Sequence, residues 1–102
     1  MQHSYRIPGV RASVDLMFHP QGRLALLTRC EVGREERGRG HASKLMRMML
    51  ADADRDGITI YLSVEPDGTG LDALTLRSWY ERLGFRDFRE RTMIREPNTR
   101  SQ

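Results

Sequence analysis

The chain has 102 residues, of which 30% are charged and 38% hydrophobic. That composition describes one soluble domain with a modest core, and it excludes a disordered chain. Seventeen Lys and Arg against 14 Asp and Glu leave a net charge of +3, which favours an anionic ligand but is too small to be a nucleic-acid footprint by itself.

No apolar run approaches the ~20 residues that would span a bilayer, so no membrane association is expected. Met1–Arg6 lacks the apolar core of a signal peptide, and the expected location is cytoplasmic. A single cysteine, Cys30, allows neither an internal disulfide nor a cysteine-rich zinc site, and no metal is expected. It lies inside the apolar run Leu24 to Val32, where a small buried residue belongs.

Ala12 to His19 reads as a strand, followed by the turn signal Pro20-Gln21-Gly22. A second strand runs from Arg23 to Val32, with Leu24, Leu26, Thr28, Cys30 and Val32 on one face. The two form an antiparallel hairpin. Gly33 to Gly40 is charged and glycine-rich, hence a loop. Ala42, Leu45, Met46, Met49, Leu50 and Ala53 then recur at helical spacing, and Gly57 stops the helix. Ile58, Ile60, Leu62 and Val64 alternate with polar residues, so a strand follows. Strand, helix and strand within ~40 residues make a βαβ unit with parallel neighbours.

Pro66 to Gly70 is a loop. Asp72 caps a second helix, Ala73 to Leu83, with Leu76, Trp79 or Tyr80, and Leu83 buried and Gly84 closing it. Phe85–Phe88 and Thr92–Arg95 are two short final strands. The tail from Glu96 is polar and expected to fray. The fold class is α/β (α+β), one mixed sheet with two main helices.

The loop before the first helix carries the chemistry. Free backbone N–H groups gather at a helix start, where the dipole adds partial positive charge. Gly38 and Gly40 admit a close ligand, and Arg37 and Arg39 add full charges, which suits a pyrophosphate. Arg39-Gly40 stand where a Walker loop needs lysine and Ser/Thr, and Ser43 stands where a dinucleotide fingerprint needs a third Gly or Ala. The pattern [Q/R]-x-x-G-x-[G/A] is met by Arg37, Gly40 and Ala42.

The stretch Val32 to Leu45, with Arg37-Gly38-Arg39-Gly40-His41-Ala42 at its centre, resembles the acetyl-CoA motif of the GNAT acetyltransferase superfamily. Trp79-Tyr80-Glu81-Arg82-Leu83-Gly84-Phe85 resembles that family's YE-x-x-GF element. The two occur in the family's order, and the resemblance covers about Leu24 to Arg95. It implies a minimal GNAT fold: a mostly antiparallel sheet with one parallel, splayed strand pair. Residues 1–22 would be shortened N-terminal strands, 23–65 the acetyl-CoA-binding β-α-β, 66–96 the C-terminal helix and strands, and 97–102 a tail.

The resemblance further implies an N-acetyltransferase using acetyl-CoA as co-substrate and a primary amine as acceptor. The amides from Arg37 to Ala42 would bind pyrophosphate, with Ser43 or Lys44 near a phosphate. Cys30, Glu31 and Val32 would offer backbone groups to the pantetheine arm, and the Val32 N–H would face the oxyanion. Tyr80 would protonate the departing thiolate. The candidate bases are Glu31 and Glu65, with His41 a weaker one, and some members of the family use a water chain instead.

Departures from the family pattern concern the acceptor. Only ~23 residues precede the strand that feeds the loop, where relatives carry helices, and Ala73 replaces a frequent asparagine. An open acceptor site, a homodimer that completes it, or acyl-CoA binding without catalysis all fit. A non-catalytic acyl-CoA-binding or regulatory module is therefore the alternative function. A basic nucleic-acid-associated or interaction protein is a third, suggested by arginine content alone.

Overall fold

A computed structural model describes residues 2–65 and 71–98. The loop expected at 66–70 and the end of the tail from 99 lie outside the described residues, as does Met1. The elements are β1 (Gln2–Arg6), β2 (Ala12–Phe18), β3 (Leu24–Val32), α1 (His41–Asp56), β4 (Thr59–Ser63), α2 (Ala73–Arg82), β5 (Arg86–Arg89) and β6 (Thr92–Arg95), with a single 3₁₀ turn at Arg34–Glu36 inside the glycine loop. The strands form one sheet in the order β1-β2-β3-β4-β6-β5. Only β3 and β4 run parallel; the other neighbours are antiparallel. This is the mixed sheet with two main helices expected from the sequence.

Each helix has a legible start and stop. Asp72 accepts the Thr75 N–H at 2.8 Å and caps α2. Gly57 takes φ 70° at the end of α1 and returns its N–H to the Ala53 and Asp54 carbonyls. The apolar face of α1, Leu45, Met46, Met49, Leu50 and Ala53, packs on β1 to β3. Ile60, Leu62, Leu76, Tyr80 and Met93 continue the same core under α2. Removing the side chain of Leu45, which is wholly buried, would cost about 2–5 kcal/mol.

Three local expectations are sharpened or corrected. First, the sequence implies strands within residues 1–22 but bounds none before Ala12; β1 pairs with β2 from Gln2↔Met17 to Arg6↔Ser13. Tyr5 is its one buried side chain, and the Tyr5 hydroxyl donates to Asp52 Oδ2 of α1 at 2.7 Å. Second, the tail does not fray at Glu96. The Asn98 N–H donates to Asp54 Oδ1 at 2.8 Å, and the same carboxylate receives both Nη atoms of Arg95, at 2.8 and 3.1 Å.

Third, β3 does not keep one face from Leu24 to Val32. Ala25 and Leu27 point into the core and Leu26 is exposed, whereas Val32 is buried again further along. The register explains this: Leu16 pairs with Leu27 but Asp15 pairs with Arg29. Thr28 is therefore an extra residue, a bulge that reverses the alternation and bends the strand. Its hydroxyl donates to the Asp15 carbonyl at 3.3 Å.

Candidate active site

The bulge coincides with a parting of strands. β3 pairs with β4 from Leu24↔Thr59 to Leu27↔Leu62 and no further, although β3 continues to Val32 beside β2. From Thr28 onward, the β4-facing edge of β3 has no strand neighbour among the described residues, so its backbone groups are open to an extended ligand. The resulting gap encloses about 510 Å³. Its walls include Thr28, Arg29, Cys30 and Glu31 from β3, Ser63 and Glu65 from the end of β4, and Tyr80 from α2.

Tyr80 is 3% exposed and packs against Phe85 and Trp79 at ring separations of 5.6 and 5.3 Å. Its hydroxyl makes no hydrogen bond among the described residues. Burial, and after it the Cys30 sulfur, pushes the phenol above its ordinary value. Burial likewise pushes the Cys30 thiol up to about 12. Cys30 is half-buried against the core and borders the gap, so it is both a packing residue and a lining one.

The two candidate bases differ in their surroundings. Glu31 Oε1 accepts from Arg29 Nη1 at 2.9 Å, and Arg29 Nε lies 3.3 Å from Asp15 Oδ2. Asp15 is 4% exposed and its Oδ1 has no partner among the described residues. Glu65 is exposed and forms no ion pair among the described residues.

A second concavity, about 180 Å³, lies at the start of α1. It gathers Val32, Arg37, Gly38, Gly40, His41, Ala42 and Ser43, all expected at the donor site. Gly38 and Gly40 hold φ 78° and 81°, the left-handed region that L side chains resist. No side chain caps the helix, and the first amide to bond back is Lys44 N–H, to the Gly40 carbonyl. The amides of His41, Ala42 and Ser43 are thus left for a ligand. Arg37 Nε donates to the Val32 carbonyl at 3.0 Å, which folds the loop back onto the end of β3.

Arg39 and Lys44 do not line this cradle. Arg39 is turned towards Glu36 at 4.0 Å and Lys44 is exposed. His41 Nε2 faces Glu36 Oε1 at 3.4 Å, which ties it to the loop and away from the gap. Sequence reasoning missed Glu36, Leu71 and Trp79 as lining residues. Trp79 Nε1 donates to Ser43 Oγ at 3.3 Å, joining the two helices over the cradle. Its place beside Tyr80 in the second motif was the only signal.

Gap and cradle meet at two adjacent steps, Glu31–Val32 in β3 and Trp79–Tyr80 in α2. The arrangement offers an amide cradle at one end, an unpaired strand edge along the middle and a phenol at the other end. Over residues 10–85 the sequence matches the model of the acetyltransferase (GNAT) family. This chain belongs to the GNAT acetyltransferase family.

Solved structures with similar folds agree. The anti-CRISPR protein AcrVA5 aligns with a TM-score of 0.71 at 18% identity, over 91% of this chain and 96% of that one. The ribosomal-protein-S18-alanine N-acetyltransferase of Escherichia coli aligns at 0.73 and 16% identity, over 99% and 72%. A GNAT acetyltransferase of Staphylococcus aureus Mu50 aligns at 0.69 and 14%, over 95% and 68%. At these identities the likeness is one of fold. Among curated proteins, none matches this sequence. Acetyl-CoA is the co-substrate of the GNAT family.

Proposed function

We propose that this chain transfers an acetyl group from acetyl-CoA to a primary amine, which attacks the thioester directly. The observation that carries this reading is the junction of cradle and gap at Glu31–Val32 and Trp79–Tyr80. One path then runs from the helix start to a phenol whose hydroxyl has no partner among the described residues.

In this reading the amides from Arg37 to Ser43 hold the pyrophosphate, with the Arg37 guanidinium adding charge. The free edge of β3 at Cys30, Glu31 and Val32 takes the pantetheine arm as a neighbouring strand would. The thioester carbonyl then lies in the gap beside Tyr80, where the Cys30 N–H, on the same edge of β3, stabilises the oxyanion; Val32 borders the cradle and serves the arm instead. Holding amine and thioester together supplies much of the acceleration. The amine nitrogen bonds to the carbonyl carbon, the C–S bond breaks, and the sulfur takes the Tyr80 proton. The proton shed by the amine leaves through Glu65, whose oxygens are not engaged by a cation among the described residues, and solvent restores the phenol.

Burial of Tyr80 adds a constraint. A phenol raised above its ordinary value is a weak acid towards a free thiolate. The phenol therefore stays neutral at working pH and holds its proton until the thiolate that forms in the gap draws it off.

Isothermal titration with acetyl-CoA, followed by thiol release with a panel of amines, tests the reading. Binding with amine-dependent thiol release supports it. Binding without release from any amine would make the chain an acyl-CoA-binding module instead. Absence of both would remove the donor site as well.

A further inference from the structure

A third concavity, about 470 Å³, opens on the flank of the loop that faces β1 and β2. Its lining includes Arg6, Arg11, Arg34, Arg37, Ser13 and Glu31. Four arginines thus border the concavity beside one carboxylate residue, Glu31, which is already engaged by Arg29; Arg37 is engaged through its own hydrogen bond to the Val32 carbonyl. Arg6, Arg11 and Arg34 form no ion pair among the described residues. The residues come from β1, the start of β2 and the loop, and Gly33 locks them together: a Cβ there would stand 2.7 Å from the Arg11 Cβ. The Gly33 N–H also donates to the Arg11 carbonyl.

We infer that this basin binds the acidic side chains of a polypeptide segment and so presents an amine of that segment to the gap. The amine half of the inference rests on the transferase reading above; the acidic-segment half does not. Three observations point there. The basin and the gap share Glu31, so a segment seated in the first reaches the second. Guanidinium forks pair with carboxylates through two parallel hydrogen bonds, and several unpaired forks on one concavity select a run of acids. The charge of the basin is also uncompensated. Arg29, Arg39, Arg55, Arg77, Arg86 and Arg95 each face a carboxylate of this chain, whereas Arg6, Arg11 and Arg34 pair with none among the described residues. The basin touches the pyrophosphate cradle at Val32 and Arg37, but its other walls come from β1, the start of β2, Glu31 and Gly33-Arg34, whereas those of the cradle come from Glu36, Gly38, Gly40, the start of α1, Leu71 and Trp79.

The probes are capped peptides with one lysine, flanked by glutamates, by alanines or by arginines. Anisotropy measures their binding to the full chain and to an Arg6→Glu/Arg11→Glu variant, with acetyl-CoA titrated into both. The expected result is roughly tenfold tighter binding of the glutamate-flanked peptide than of the alanine-flanked one, lost in the variant and weakened by salt. Acetyl-CoA affinity should be the same in both proteins, which also shows that the variant folds. Equal binding of the peptides, or a preference that survives the double substitution, overturns the inference. So does an oligothymidylate that displaces the acidic peptide, because the basin would then read phosphate backbone. A variant that loses acetyl-CoA affinity but keeps that for dephospho-acetyl-CoA would assign the basin to the donor and overturn it too. An intact preference without thiol release from any peptide keeps the acidic-segment site and defeats the transferase reading alone.

Discussion

Arg29 Nη1 lies 2.9 Å from Glu31 Oε1 on the wall of the gap, so one of the two carboxylates there is engaged while Glu65 stands free of any ion pair with the described residues. The difference assigns separate roles. Glu65→Gln should lower kcat/KM by about a hundredfold, as expected for loss of a general base. Glu31→Gln should cost less than about tenfold, because it removes an orienting contact rather than a proton acceptor. Steady-state kinetics with acetyl-CoA and one active amine decide this, and the reverse order would move the base to Glu31.

Tyr80→Phe should lower kcat by about a hundredfold while leaving the acetyl-CoA dissociation constant unchanged. The phenol is raised by burial, so it stays protonated through the working range. The wild-type rate should accordingly show no alkaline fall from this group below about pH 10. An alkaline limb near neutrality that vanishes in Tyr80→Phe would contradict the assignment.

Cys30 borders the same gap, and its thiol is pushed up to about 12 by burial. A thiol in that state is a poor nucleophile at neutral pH. Cys30→Ala should therefore retain turnover within about tenfold, and no acetylated enzyme should accumulate when acetyl-CoA is added without amine. Mass spectrometry of the intact chain checks the second point. An acetyl adduct on Cys30 would replace direct attack with a two-step transfer.

Gly40 has φ 81°, and a Cβ added there would meet nothing within 4 Å, so conformation and not space demands glycine. Gly40→Ala should destabilise the fold by about 1–2 kcal/mol, and it should shift the amides that follow. Acetyl-CoA affinity should drop well beyond what the lost stability explains. Titration at a temperature where both proteins are folded separates the two effects.

Asp54 ties the end of α1 to β6. Its hydrogen bonds from Arg95, and then from the Asn98 amide, hold its carboxyl below the ordinary value against the opposing effect of burial. A depressed carboxyl contributes stability that is whole above the unfolded value of about 3.9 and is lost as pH falls through the folded one. Asp54→Asn should cost about 1–2 kcal/mol near neutral pH, and the gap to wild type should shrink under acid. Urea melts across that range measure it; a difference that stays constant would rule out the carboxylate as the source.

Most of the fold was legible because its signals are local. The α1 stripe, the Gly57 stop, the Asp72 cap and the alternation of β4 each rest on a few neighbouring residues. The phase of β3 was not, since Thr28 is an extra residue only relative to β2, and a strand's own pattern cannot show that. β1 escaped for a similar reason: one buried side chain, Tyr5, leaves no alternation to read. The donor loop stood out through its glycines. The basin of Arg6, Arg11 and Arg34 did not, because its members come from three separate stretches that only the β1–β2 pairing and the Gly33 contact bring together.

Thr28 also places stability and use in opposition. A sheet whose β3 kept step with both neighbours would close its ladder to the end of β4 and hold together better. It would then offer no opening between those strands. Deleting this one residue should give a tougher protein that, if the transferase reading holds, binds acetyl-CoA less well, so the room between those strands is written as a single surplus position in β3.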